Sequence, residues 1–385
     1  MLVGDLALEN FRNYEKEKIS FTGGINLVLG ANAQGKTNLL EAVHCLSGLG
    51  LPRAPDAALI REGAETGFLH GQATRAGRHL RFDMELRSGR GTRTLIDKSP
   101  TTRARSLAQL PVAVFFGPDE LSLVKGSPEG RRRFIDDLVA KLRPARDALR
   151  RELEKVLRQR NALLKALRRD GGTAGAAELE PWDQALQRTG AQLVTARLHA
   201  LGALVPFVAK RYDEIAGGGR LEISYASSYL PVEVALAGMS DPATIDQDAI
   251  AALLAGRMEE LRVPELERGV TLVGPQRDDL SVQLVSGRGS LMDARSFASQ
   301  GDQRTSALAL KLGEQDLLTD YLGEAPILLL DDVFSELDPN RRRWLAAAVR
   351  GQGQILISSA DPVSAAEVEP DRVVVVSSGR LRIDG

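Results

Sequence analysis

A glycine-rich segment near the N-terminus has the spacing of a phosphate-binding loop. It stands between an apolar run predicted as a strand, Ile25–Leu29, and a helix predicted over 37–49. In such loops, backbone N–H groups surround a phosphate, a lysine reaches the β- and γ-phosphates, and a hydroxyl ligates Mg²⁺. Lys36 and Thr37 are the candidates for the last two roles; a glycine-rich turn with an exposed lysine is the alternative. The loop consists of Gly30, Ala31, Asn32, Ala33, Gln34, Gly35, Lys36 and Thr37.

Two adjacent acids end an apolar run late in the chain. The run 327–330 is followed by Asp331 and Asp332. This pattern is typical of a strand that delivers a carboxylate to a metal ion. Asp331 is the candidate metal ligand beside Thr37, and Asp332 is the candidate that polarises an attacking water. Alone, the pattern also fits a buried strand that meets a loop; together with the phosphate loop, it indicates an NTPase.

A serine and a glycine stand at the start of a helix predicted over 303–318. Ser299 and Gly301 would lie at its N-terminus, where free N–H groups and the helix dipole favour a second phosphate contact. A plain capped helix is the alternative. Lys36 lies 263 residues before Ser299 and 295 before Asp331. A large insertion must therefore separate the two halves of this site.

The elements that would position these residues alternate between strand and helix. Strands are predicted at both ends of the chain, and three of them, at 67–75, 79–86 and 92–97, form an antiparallel β patch after the first helix. The other predicted strands are 2–8, 111–116, 270–273, 280–284, 355–358 and 372–376, and a further helix is predicted at 341–349.

The middle of the chain predicts a helical hairpin. Apolar residues recur at helical spacing on two segments, interrupted at Arg160, and the segments are joined by a glycine-rich linker at 170–175. Each arm is expected to have about 20 to 25 residues, or about 30 to 37 Å. The range 131–169 holds 14 basic and 5 acidic residues. It offers phosphate contacts to DNA, or else is a solvated helix face.

The composition predicts the cellular compartment but says little about the activity. Fifty Lys and Arg balance 51 Asp and Glu among 385 residues, and Cys45, the single cysteine, excludes an intrachain disulfide. A reducing, cytoplasmic environment is expected. The apolar runs are shorter than the roughly 20 residues of a membrane-spanning helix, so no membrane association is expected.

Together these patterns predict an α/β protein. The fold class is an ABC-type P-loop ATPase head, with a mixed sheet plus an antiparallel β patch, and an inserted helical-hairpin domain. Residues 1–126 form the first half of the head, 127–268 the helical insertion, and 269–385 the second half.

Further motifs are specific to one family. They are Asn10-Phe11-Arg12-Asn13-Tyr14, Lys36-Thr37-Asn38-Leu39-Leu40-Glu41-Ala42, Leu123-Val124-Lys125-Gly126-Ser127-Pro128, Gly274-Pro275-Gln276-Arg277-Asp278-Asp279 and Asp331-Asp332-Val333-Phe334-Ser335-Glu336-Leu337-Asp338. With the loop and the Ser299 segment, they resemble the RecF family of bacterial DNA replication and repair proteins, which is related to the ABC and SMC ATPases.

This resemblance implies an ATP- and Mg²⁺-dependent protein that binds DNA without sequence specificity, at duplex or gapped sites. Its implied partners are RecR, RecO and RecA, its implied setting is recombinational repair and the SOS response, and ATP would drive formation of a homodimer. The implied activity is a weak, DNA-stimulated ATPase that acts as a switch. Catalytic roles fall on Asp332, Lys36 and Ser299, and nucleotide contacts on Arg12, Asn13, Asn38, Gly301 and Asp338.

One departure concerns catalysis. Many ABC ATPases carry a histidine after the strand predicted at 355–358, but Ser358, Ser359 and Ala360 stand here, which argues against fast hydrolysis.

The sequence argues against three other functions. A transporter subunit would place its signature much nearer the phosphate loop, an SMC tether needs far longer arms, and a nuclease needs a further metal cluster. Another small SMC-like DNA ATPase is the remaining alternative. The preferred DNA structure, the dimer affinity, and the surfaces that bind DNA or RecR do not follow from the sequence.

Overall fold

The chain folds into two compact units. The computed structural model describes residues 1–49, 56–89, 91–169, 176–241, 244–285, 289–361 and 366–384. The first unit comprises 1–121 and 307–385, and the second comprises 122–306. Sequence analysis placed the second boundary at 268/269 instead. The shift arises because strands at 220–226, 279–285 and 291–293 pair in one sheet across that point.

The elements follow one another closely along the chain. The strands are β1 (Leu2–Phe11), β2 (Tyr14–Ser20), β3 (Ile25–Leu29), β4 (Thr66–Arg75), β5 (Arg78–Arg87), β6 (Arg93–Ile96), β7 (Ser99–Pro100), β8 (Ala113–Phe116), β9 (Arg220–Ala226), β10 (Asp279–Val285), β11 (Leu291–Asp293), β12 (Ile327–Asp331), β13 (Ile355–Ser359), β14 (Arg372–Ser377) and β15 (Arg380–Asp384). The helices are α1 (Lys36–Cys45), α2 (Arg103–Gln109), α3 (Ser122–Lys125), α4 (Pro128–Leu142), α5 (Asp147–Arg169), α6 (Glu180–Ala216), α7 (Val232–Ser240), α8 (Gln247–Glu260), α9 (Arg262–Arg268), α10 (Ala294–Phe297), α11 (Gln300–Leu322) and α12 (Pro339–Val349).

A largely parallel sheet forms one layer of the first unit. Its strand order is β15-β14-β3-β13-β12-β8, with only the β14–β15 pair antiparallel among the described strands. Every residue of β12 and β13 is buried, as expected for parallel strands covered on both faces. Since β13 alone separates β3 from β12, the carboxyl ends of these three strands lie side by side.

An antiparallel sheet forms the other layer, in the order β2-β1-β4-β5-β6-β7. The predicted patch is therefore larger than its three strands, because β1 pairs with β4 and brings in the N-terminal hairpin. Alternate residues Leu6 and Leu8 of β1 and Leu69 of β4 join a buried cluster with Leu39 and Leu40 of α1. The prediction of an ATPase-type head with a mixed sheet and an antiparallel patch is confirmed.

The second unit contains the helical hairpin, but its arms are unequal. Helix α5 has 23 residues and α6 has 37, so the expected length of the second arm was wrong. Buried Leu198, Leu201, Leu204 and Val208 continue the three- and four-residue spacing along the rest of α6. The predicted linker at 170–175 lies outside the described residues.

A buried arginine joins three helices where the predicted apolar seam was interrupted. Arg160 is fully buried, and its guanidinium donates to Asp183 of α6 at 2.7 Å and to Glu265 of α9 at 2.6 Å.

The segment 270–273, which lies beside this cluster, was predicted as a strand but does not form one. Side chains bind its backbone instead: Asn161 accepts from the Thr271 N–H at 2.8 Å, and Glu265 accepts from the next N–H.

One helix is long and apolar enough to cross a membrane, by length and composition only, although the short apolar runs of the sequence did not suggest such a helix. It is Ala177–Ala216, with a mean hydropathy of 1.3 in its most apolar window, of which 56% is buried inside the protein. A core helix of a folded domain meets the same criteria. Asp183 and Arg197 within it are buried and paired, with Arg160 and Asp136 respectively. Such buried ion pairs fit a core helix, because charged groups are costly in a bilayer.

Candidate functional site

The phosphate loop connects β3 to α1. Two of its residues are in the left-handed region, Ala33 at φ 64° and Gly35 at φ 119°. The backbone of Gly35 favours glycine, and a Cβ atom there would lie 2.6 Å from the side-chain nitrogen of Asn13 and displace it. Lys36 folds back over the loop, where its Nζ donates to the Ala31 carbonyl at 3.0 Å. The ammonium group thus has a backbone carbonyl as its partner, which a phosphate could replace.

The hydroxyl at the start of α1 meets the carboxylate at the end of β12. Thr37 Oγ1 lies 2.9 and 3.1 Å from the two oxygens of Asp331. Ser358 donates to the same carboxylate at 2.5 Å. Burial raises the pKa of Asp331 above its ordinary value, although the hydrogen bonds from Ser358 and Thr37 lower it. A cation beside Asp331 would offset the cost of burying this charge.

The second acid is held in a strained conformation. Asp332 has φ 52°, a left-handed value that is uncommon outside glycine. Its N–H donates to the Ser358 hydroxyl at 2.9 Å. Asp332 Oδ1 is buried and accepts no hydrogen bond from the described residues. This oxygen can therefore accept a hydrogen bond from a water or a ligand. Functional sites often combine such an unpaired buried oxygen with backbone strain.

These groups fit Mg²⁺ together with a phosphate. Thr37 and Asp331 supply the hydroxyl and carboxylate oxygens that Mg²⁺ prefers, and such sites commonly draw their other ligands from substrate phosphates and water. In the described part of the chain, no group of three or more His, Cys, Asp or Glu residues could hold a metal. A metal at Thr37 and Asp331 would therefore depend on the nucleotide for ligands.

The residues predicted to contact nucleotide near the N-terminus lie beside the loop. Arg12 donates two hydrogen bonds to the carboxylate of Glu41 in α1, at 2.9 and 3.1 Å. Asn13 donates to the Gln34 carbonyl at 2.8 Å and accepts from Asn38 at 2.8 Å. All three side chains thus have protein partners in this structure, and their contact with nucleotide stays a prediction.

Asp338 begins the helix that follows the second acid. Its Oδ1 accepts from the N–H groups of Asn340 and Arg341 at 3.0 and 3.1 Å, so it caps α12. The Arg341 N–H bond lowers the pKa of this exposed carboxyl. The cap accounts for the aspartate structurally, and its nucleotide role also stays a prediction.

Ser299 and Gly301 belong to the second unit. Helix α11 begins at Gln300, three residues before the predicted start. The Ser299 hydroxyl donates to the Asp302 carboxylate at 2.7 Å and accepts from the Asp302 N–H at 3.1 Å. This reciprocal cap leaves Ser299 exposed at the start of a long helix.

Several residues of the site were missed by sequence analysis. Ser358 was noted only as a replacement for histidine, yet it binds both acids. Tyr14 donates to the Gly35 carbonyl at 2.8 Å, and the turn at Ser378 and Gly379 contacts the loop from the far end of the chain. Tyr14 lies within a family motif, which was an available signal; the C-terminal turn had none.

Comparison with known proteins now identifies the family. The family model for the RecF/RecN/SMC N-terminal domain matches residues 2–381. The DNA replication and repair protein RecF of Beutenbergia cavernae is 41% identical over the whole of both chains, and that of Acidothermus cellulolyticus is 42% identical over 94% of each. This chain belongs to the RecF family.

Solved structures agree with this assignment. A recombination mediator RecF of the RecFOR pathway, solved as RecF-ATP, has a TM-score of 0.87 and 28% identity, covering 100% of this chain and 97% of the other. The Smc head solved with the C-winged helix domain of ScpA has a TM-score of 0.56 and 16% identity, covering 100% and 97%. The second likeness concerns the fold alone: this chain shares the fold of that Smc head.

Proposed function

We propose that this chain is an ATP-dependent DNA-binding protein of recombinational repair and replication restart, and that ATP drives its dimerisation. The observation that carries the proposal is the approach of Thr37, at the end of the phosphate loop, to the buried carboxylate of Asp331. The relative solved as RecF-ATP supports ATP as the nucleotide. We expect this protein to act in the cytoplasm.

The chemistry of the site follows from the charges around the loop. The Lys36 ammonium would leave the Ala31 carbonyl and pair with the β- and γ-phosphates. Thr37 and Asp331 would hold Mg²⁺, which neutralises phosphate charge and polarises phosphoryl oxygens when bound. Asp332 Oδ1, which has no protein partner among the described residues, would accept a hydrogen bond from the attacking water.

Hydrolysis is expected to be slow. Ser358 occupies the end of β13 and hydrogen-bonds to both acids, so no imidazole stands there to interact with a γ-phosphate. The histidines of the chain are elsewhere: His44, His70, His79 and His199. A weak ATPase, stimulated by DNA, suits a nucleotide switch better than a motor.

Dimerisation would complete the site. Ser299 is exposed at the N-terminus of α11, where the first-turn N–H groups and the helix dipole attract a negatively charged group. We expect it to contact the γ-phosphate held by Lys36 of the partner subunit. The loop and the signature serine would then enclose one ATP from two sides.

DNA binding is assigned to the exposed arginines of α5. Arg131 and Arg160 are excluded from this surface, because they are buried in ion pairs with Asp279 and with Asp183 and Glu265. Arg151 and Arg158 are exposed, although Arg151 also pairs with Asp147 at 2.9 Å. Both can neutralise DNA phosphates without reading sequence. The RecFOR pathway in the description of the solved relative supports RecO and RecR as partners. Loading of RecA at gapped DNA and a link to the SOS response are expectations from the family resemblance.

Titration calorimetry with ATP and Mg²⁺ tests the nucleotide assignment. The parent protein is expected to bind, and Lys36→Met to lose about 100-fold or more in affinity, because the lysine pairs with two phosphates. Lys210→Met removes an exposed lysine of α6 and should bind like the parent. Unchanged affinity in Lys36→Met would refute the assignment of the loop.

A further inference from the structure

We propose that the tip of the β14–β15 hairpin positions the phosphate loop of the ATP site. In this inference, which rests on the function proposed above, the hairpin sets the orientation of a peptide group in the phosphate loop. Ser378 and Gly379 form the tip. With Asn13 and Tyr14, they are positioning residues, because they act on the loop and not on the nucleotide.

Gln34 receives the contacts of this turn. Its side-chain oxygen accepts from the Ser378 N–H at 2.5 Å and lies 3.3 Å from the Ser378 hydroxyl. Its main-chain carbonyl accepts from the Gly379 N–H at 3.1 Å and from the Asn13 side chain at 2.8 Å. The hairpin and Asn13 therefore hold one loop residue by both its backbone and its side chain.

The geometry of the peptide bond converts this contact into a property of the loop. In a trans peptide, the carbonyl and the following N–H point in opposite directions, and the described chain has no cis bond. Holding the Gln34 carbonyl against Asn13 and Gly379 therefore turns the Gly35 N–H away from them. That N–H becomes free to bind a phosphate, as loops of this kind require.

Tyr14 acts in the same way on the next peptide. Its hydroxyl donates to the Gly35 carbonyl, which also accepts from the Leu39 N–H at 3.0 Å. These bonds orient the Lys36 N–H along the start of α1. Tyr14 is fully buried, and burial raises the pKa of its hydroxyl well above the ordinary value. The group therefore stays protonated and continues to donate.

The turn has little freedom to move while it keeps this contact. Ser378 and Gly379 have φ values of 47° and 70°, as in the type I′ turns that close two-residue hairpins. A Cβ atom on Gly379 would lie 2.7 Å from the Asn13 carbonyl oxygen. A side chain there would displace the turn from the loop.

The β4–β5 hairpin supplies a matched control. Its turn has nearly the same backbone, with Ala76 at φ 49° and Gly77 at φ 72°. Nothing lies within 4 Å of a Cβ atom built on Gly77. Gly77→Ala and Gly379→Ala thus impose similar backbone strain, and the displacement of a loop contact applies only to the second.

Binding of ATP and of inorganic tripolyphosphate, both with Mg²⁺, tests the inference. Gly379→Ala is expected to weaken both about 5- to 10-fold, the effect of losing about one hydrogen bond to the loop. Gly77→Ala should stay within about twofold of the parent, with a similar change in melting temperature. Equal losses for the two ligands would place the defect at the phosphates and not at the base.

A second pair of variants guards against misfolding. Tyr14→Phe removes the hydroxyl on Gly35 and should weaken tripolyphosphate binding, whereas Tyr229→Phe removes a buried hydroxyl that donates to Asp278 in the second unit and should not. Parent-like binding by both Gly379→Ala and Tyr14→Phe, with Lys36→Met inactive, would overturn this inference alone. Failure of the parent to bind either ligand would overturn the proposed function.

Discussion

At the scale of single residues, the candidate site was partly predictable. Lys36, Thr37 and Asp331 were identified because the loop and the apolar run that ends in acids are local patterns. The role of Ser358 was not predictable, since it depends on the register of β12 and β13, which sets Asp331 opposite Ser358. Asp332 lies in a left-handed turn that this register helps to hold.

The Asp332 carboxylate is expected to act on hydrolysis and not on binding, because a group that orients the attacking water acts in the transition state. Asp332→Asn should lower kcat about 100-fold or more while ATP affinity changes little. Asparagine also tolerates the left-handed backbone. Asp97→Asn, at another left-handed aspartate with φ 49°, is the control and should turn over normally. Steady-state ATPase assays and calorimetry distinguish the outcomes, and parent-like turnover by Asp332→Asn would make it a structural acid.

At the scale of elements, buried strands were predicted best and edge strands worst. The bounds of β3 were predicted correctly and those of β12 to within one residue, because a continuous apolar run has a clear beginning and end. Strands β2 and β15 were missed: they lie at sheet edges, and their charged, exposed residues resemble a loop. The length of α6 was underestimated although apolar residues keep their helical spacing through Val208. Pro206, a residue type that usually ends or kinks a helix, lies inside it.

The Arg160 cluster should be essential for the stability of the helical unit. Arg160→Met leaves the buried carboxylate of Glu265 without its arginine, and losing one partner of a buried ion pair costs about 3 to 5 kcal/mol. Asp183 keeps Arg262 as a partner, which favours the lower end of this range. Urea denaturation measures the loss, with Arg158→Met, an exposed arginine on the same helix, as control. A difference of less than about 1 kcal/mol between the two variants would contradict the account.

The exposed face of α5 should determine DNA affinity. Arg151→Glu with Arg158→Glu should weaken binding to duplex DNA and reduce the salt dependence by about two ions, because each arginine releases about one counterion. Lys210→Glu with Arg220→Glu makes the same change in charge elsewhere in the second unit, at side chains about 70% exposed. Fluorescence anisotropy over a range of salt concentrations measures both. If the two pairs behave alike, the DNA surface lies elsewhere.

At the scale of the whole molecule, the nucleotide site and the signature serine fall in different compact units. Motifs far apart in the sequence identified the RecF family because each motif is specific, and the family match over 2–381 supports them together. The unit boundary was less predictable, since it depends on the pairing of β9 with β10 across the end of the helical insertion. The proposed dimer would use both units, with the loop of one subunit facing Ser299 of the other.

Sedimentation velocity, with and without ATP and Mg²⁺, tests the central claim of ATP-driven dimerisation most directly. The parent chain is expected to be monomeric alone and dimeric with ATP. Lys36→Met should stay monomeric because we expect it not to bind ATP. Ser299→Arg should also stay monomeric, although we expect calorimetry to show that it binds ATP. A parent chain that stays monomeric at saturating ATP, or a Ser299→Arg variant that dimerises like the parent, would contradict the account.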